Sequence, residues 1–176
     1  MLTYIGYIFK KEISMIRNTA TLIRPFIRAF NFLSPFGDLL ARIWVAQIFF
    51  LSGLTKIQSW QSTMMLFEHV YHVPLLSPYL AAVLGTGAEL ILPVFLVLGL
   101  GGRFLILIFF IYNFVAAISY HFLWTPEGSM GLAQHINWAL LLMLLMFHGS
   151  GKISLDYLIH TIHGHHLKDS KSKKKK

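Results

Sequence analysis

No cysteine occurs in the 176 residues. That absence excludes disulfides, thiol exchange, thiolate-held iron–sulfur clusters and thiolate metal sites, so the electrons of any redox role must come from another molecule. Charge is scarce as well: 12% of residues are Asp, Glu, Lys or Arg against 56% hydrophobic, and the mean hydropathy is +0.63. Soluble core helices would each need a polar face, and the long apolar runs here have none. The strict alternation of an outer-membrane barrel is missing too, since Phe104 to Tyr112 is apolar on every side. No cleavable signal is expected, because the Lys10–Lys11 pair follows the short apolar start instead of preceding it. Gly149-Ser-Gly-Lys152 lacks the Gly-x-x-x-x-Gly-Lys framing of a phosphate loop, which excludes a nucleoside triphosphate site.

What is present is a set of spanning segments. A hydrocarbon core of about 30 Å needs about 20 apolar residues per helix. The sequence predicts four of these, at about 36–55, 76–100, 103–124 and 131–149. The expected fold is an all-α, integral-membrane four-helix bundle over 36–149. It is preceded by an amphipathic N-terminal extension (1–35) and followed by a basic tail (150–176) expected to be disordered. In the extension, Ile16, Leu22, Ile23, Phe26, Ile27, Phe30 and Leu33 share one helical face, with Arg17, Arg24 and Arg28 between them. This is the pattern of a helix lying on the membrane surface, and Pro25 is expected to open its better half. Basic residues gather before the first span, at Arg103 and after the fourth span, which predicts that both termini are cytoplasmic.

One carboxylate interrupts the second span. An acid near the bilayer centre costs about 2.5 to 3.5 kcal/mol, so Glu89 is expected to face the bundle interior. Gln47, Glu89 and Asn113 each fall roughly 12 to 18 Å from the inner surface by helical rise, which predicts one buried polar cluster. Arg42 and Lys56 are the two candidates to pair with Glu89. A second collection is expected at the outer face, namely Glu68, His69, Tyr71, His72, His121, Trp124, Glu127 and His135. Its histidines fit metal, proton or quinone chemistry, while aromatic and histidine residues also favour interfaces in their own right. No metal site is assigned, and His160, His163, His165 and His166 lack a fixed scaffold for one. Close glycine contacts such as Gly85 with Gly99 or Gly101 would serve folding or dimerisation equally well.

From Leu40 to Leu158 the chain resembles the DoxX family of small four-helix bacterial membrane proteins. The resemblance rests on Ala41-Arg-Ile, Phe49-Phe-Leu-Ser-Gly-Leu-Thr-Lys-Ile, Glu89 with Leu98–Gly99, and the closing Gly149-Ser-Gly-Lys-Ile-Ser-Leu-Asp. Many relatives have Gly-Pro-Gly where this chain has Gly149-Ser-Gly. Arg42, Gly53, Lys56, Glu89, Gly99 and Asp156 match the family pattern. The resemblance implies a bacterial inner-membrane location and membrane redox chemistry, since relatives include a subunit of a thiosulfate:quinone oxidoreductase and anchors for soluble enzymes. It implies an accessory or anchoring subunit, with quinone as the candidate ligand near Glu89 and Arg42. The alternatives are a quinone-reducing subunit using a Glu/Arg site and, less favoured, a small-molecule transporter. Candidate partners are the bilayer, a soluble redox protein and a second copy of the chain, with no nucleic acid.

Overall fold

The computed structural model describes residues 2–149 and 151–162, with side chains described from Leu22 onward. His163, His165 and His166 therefore lie outside the described residues. Among the described residues the helices α1 (Leu2–Gln58), α2 (Trp60–His69), α3 (Pro78–Leu98), α4 (Gly102–Ser119) and α5 (Ser129–His148) follow in order, with a 3-10 turn at His121–Trp124, and residues 155–162 are helical as well. Among the described residues, four segments are long and apolar enough to cross a membrane, Leu22–Gln58, Pro78–Leu98, Gly102–Ser119 and Ser129–His148. Among the described residues there is no strand beyond one isolated bridge, Tyr71 to Tyr120. The protein is an all-α membrane protein.

Two compact units divide the chain, Met1–Gly37 and Asp38–Lys176. In the first, the expected start at Pro25 is not found, because α1 runs through both Pro25 and Pro35. Each proline lacks one N–H, so the carbonyls of Thr21 and Asn31 lose their helical partners while the remaining ladder carries the helix on. The side chains of residues 22–34 are all exposed.

The second unit is built around Phe49. Its ring meets Phe109 at 4.8 Å and Trp138 at 5.3 Å, both edge-on, in a core completed by Val45, Ala46, Leu96, Ile106, Leu142 and Leu145. Helix α2 lies between the first two expected spans. Its Thr63 hydroxyl donates to the Lys56 carbonyl at 2.9 Å, and Phe67 packs on Ala81 and Ala82 of α3. Helix α3 starts where Ser77 caps Leu80 N–H with Pro78 in the first turn, a position where the missing N–H costs nothing. It ends at Gly99, whose φ of 65° is left-handed and whose open side is filled by Ser154 and the Arg42 guanidinium. The third span is shorter than expected, because its chain turns at Ser119 into the 3-10 segment.

Candidate functional site

The site begins where α1 and α3 nearly touch. A Cβ on Gly53 would stand 2.9 Å from the Leu90 side chain and 3.0 Å from the Glu89 Cβ, so only glycine allows this approach without a shift. One turn on, the Lys56 ammonium meets Glu89 at 2.9 Å to Oε1 and 2.6 Å to Oε2, and donates to the Ser52 hydroxyl at 2.8 Å. Both partners are nearly buried, with side-chain exposures of 11% and 9%. A charge pair withdrawn from water this far holds together only because each charge satisfies the other.

The pair lines a cavity of about 400 Å³. Aromatic side chains form much of its wall, including Phe49, Phe67, Tyr71, Tyr112, Tyr120 and Trp138. The Tyr112 hydroxyl donates to the Gly85 carbonyl at 3.1 Å and stands within electrostatic reach of Glu89. Asn113 donates to the His135 carbonyl at 3.0 Å, and its Oδ1 lies 2.8 Å from His135 Nδ1. An amide oxygen only accepts, so Nδ1 carries the hydrogen and Nε2 is left as the acceptor of a ring that lines the cavity.

At one end of the cavity the connections after α2 and α4 run side by side. Tyr71 and Tyr120 face each other at 5.2 Å, His72 N–H donates to the Ser119 carbonyl at 2.8 Å, and the rings of His72 and His121 lie 6.0 Å apart. Burial raises the Tyr71 phenol above its ordinary value, with Tyr120 and Glu89 adding to the effect. Both Tyr-His dipeptides thus place tyrosine inward, lining the cavity, and histidine outward, exposed. His69 stands exposed at the end of α2. Among the described residues, no three His, Asp or Glu side chains converge on a common point.

Several candidate residues fall elsewhere. Gln47 is not part of a cluster with Glu89 and Asn113: it is exposed beside a separate apolar groove with Pro93 and Val97. Nine residues separate it from Lys56, which is about two and a half helical turns, so it stands about 14 Å away along α1 and on the opposite face. Asn113 binds His135, not the carboxylate. Arg42 does not pair with Glu89 either, since it stands about 21 Å along the helix from Lys56. It is 1% exposed and donates to three backbone carbonyls: Asp38 at 3.3 Å, Val97 at 3.4 Å and Ile153 at 2.5 Å. Asp156 joins the same end by accepting the Gly101 N–H at 3.3 Å, and Asp38 meets His148 at 3.0 Å. A Cβ on Gly85 would stand 3.2 Å from the Phe67 ring, and Gly99 and Gly101 occupy the left-handed turn between α3 and α4. These glycines act within the chain.

Tyr112, Tyr120, Trp138 and Ser52 were not singled out by the sequence. Ser52 had a usable signal, because it precedes Lys56 by one helical turn. The aromatic residues looked like ordinary lipid-facing or core positions.

Comparison with curated proteins and with solved structures found no match. A family model does match residues 37–122, a stretch that includes Gly53, Lys56 and Glu89. That match, to the DoxX family, takes in both halves of the buried ion pair and supports membership of that family.

Proposed function

We propose that this protein is an accessory subunit of a membrane redox complex in the bacterial inner membrane, and that its cavity seats the head group of a quinone. The observation that carries the reading is the Lys56–Glu89 pair set in an aromatic cavity of about 400 Å³. That volume falls within the range of about 300–1,000 Å³ typical of small-molecule sites, whose walls are mostly apolar with a few fixed polar groups. Phe49, Tyr112 and Trp138 supply faces for a flat ring. The Lys56 ammonium and the tyrosine hydroxyls are donors for carbonyl oxygens, and Glu89 and His135 Nε2 are acceptors for hydroxyl hydrogens. A quinone, when bound, is the acceptor of two electrons and two protons. The electrons come from a partner, since this chain has no cysteine to relay them. The chain's own part is to exclude lipid from the ring, orient it and hold a proton near Glu89.

The orientation with both termini cytoplasmic is supported by charge. Arg42, Arg103 and Lys152 belong to one end of the second unit, where the Arg103 guanidinium donates to the Phe147 carbonyl at 3.3 Å, and residues 58–75 contain no Lys or Arg.

Purification of the full chain in mild detergent from its own membrane, with mass spectrometry of co-purifying proteins and extracted lipids, tests the reading. A stoichiometric quinone that is lost in Glu89→Gln, together with a soluble redox protein, is the expected result. Quinone without any protein partner would move the reducing chemistry onto this chain. A preparation free of quinone, with the variant indistinguishable from the parent, would sink the proposal.

A further inference from the structure

Helix α5 is the least covered of the spanning helices. Only 11% of its apolar window is buried, against 28% to 39% in the other three. Its inner face is accounted for by His135, Trp138, Leu142 and Leu145, which line the cavity or enter the core. Its outer face carries Met130, Ala133, Asn137, Leu140, Leu144 and Phe147, all exposed. Their spacing alternates three and four along the whole helix, which is the repeat of a helix–helix seam.

Lipid alone explains an apolar stripe, and α4 has one in Phe104, Ile108, Ile111 and Phe114. It does not explain the amide in the middle of this one. Asn137 lies about 12 Å along α5 from Ser129, is exposed, and has no hydrogen-bond partner among the described residues. Gln134, one turn earlier on the flank of the stripe, is in the same state. Hydrocarbon offers neither donor nor acceptor to such groups, so they demand a protein surface that does.

We infer that the outer face of α5 is a dimer interface, and that its occupant is α5 of a second copy of this chain. An amide is self-complementary: across a two-fold axis each Asn137 donates to the other's oxygen and accepts in return. A single polar residue in an otherwise apolar seam also fixes register and favours two parallel helices. The flanking Gln134 fits the same two-fold arrangement. The face does not depend on the quinone reading, because the cavity lies on the opposite side of α5.

The absence of cysteine makes the test clean. Single-cysteine variants Ala133→Cys, Leu140→Cys and Leu144→Cys are oxidised in native membranes, with Ile108→Cys on α4 and Leu51→Cys on α1 for comparison. The seam positions are expected to give disulfide-linked dimers and the comparison positions none, because the bond needs Cα atoms about 4.4 to 6.8 Å apart. In mild detergent, Asn137→Leu is expected to weaken dimerisation about threefold to twentyfold, and Asn137→Gln to retain it. Equal cross-linking at Ile108→Cys, cross-linking through the Gln47 side of α1 instead, a monomer carrying only lipid, or an Asn137→Leu dimer as strong as the parent would each overturn the inference.

Discussion

Lys56 and Glu89 sit in a place that neither could occupy alone. Removing one partner of a buried pair leaves the other charge without compensation, at a cost of about 3 to 5 kcal/mol. Lys56→Met is therefore expected to lower thermal stability in detergent sharply, and Glu89→Gln to do so less, since a neutral amide still accepts from the ammonium. Combining the two should recover most of the loss, so that the double variant is more stable than the sum of the single effects predicts. Additive losses would show that the pair does not couple. Arg42 behaves differently, because its three acceptors are carbonyls of three separate segments. Arg42→Gln is expected to destabilise by about 2 to 4 kcal/mol through lost charged hydrogen bonds, and Glu89→Gln to give no rescue. Rescue beyond about 0.5 kcal/mol would reveal a link between the two ends that the geometry does not contain.

At the level of the helices, the close approach of α1 to α3 is what sets the ion-pair distance. Gly53→Ala pushes a methyl against Leu90 and the Glu89 Cβ, and is expected to cost about 1 to 3 kcal/mol by overpacking while also weakening ligand binding. Gly87, on α3, has nothing within 4 Å of its would-be Cβ. Gly87→Ala should be neutral or stabilising by up to about 1 kcal/mol, measured by the same melting experiment. If both substitutions behave alike, helix propensity and not packing governs this interface. The helices also show where sequence reasoning reached its limit. Four apolar runs of spanning length were plain, because bilayer thickness imposes a length that composition reveals. Glu89 was plain for the same reason, as a charge inside such a run. Its neighbours were not. Depth counted at 1.5 Å per residue depends on where each span is taken to start, and contact also requires azimuth: Gln47 stands about 14 Å along α1 from the Lys56 that meets Glu89, and on the opposite face. Helix α2 escaped notice because ten residues with Thr63 and Phe67 buried leave too short a pattern to stand out from a loop.

For the whole molecule, orientation in the membrane is the property that most directly follows from charge. With no native thiol to interfere, Glu127→Cys and Lys152→Cys can be labelled by a membrane-impermeant maleimide on intact cells. The expected result is labelling at Glu127→Cys alone, with Lys152→Cys reacting only after lysis. The reverse pattern would invert the protein and place the Tyr-His mouth on the cytoplasmic side. The single-sided charge distribution also predicts that the cavity is reached from the face opposite the basic residues.

The grip of Arg42 on Ile153 has a bearing on how the protein is made. The two residues are 111 positions apart. At synthesis rates of about 5 to 20 residues per second, Arg42 enters the membrane some 5 to 20 seconds before its last carbonyl exists. During that interval a permanently charged guanidinium lies in the nascent assembly with part of its shell missing. Only a ribosome that has passed the closing glycine motif can complete it, so the first span is not finally secured until nearly all of the chain has emerged. A prematurely terminated product would keep its charge exposed and offer membrane proteases a direct sign that translation stopped short.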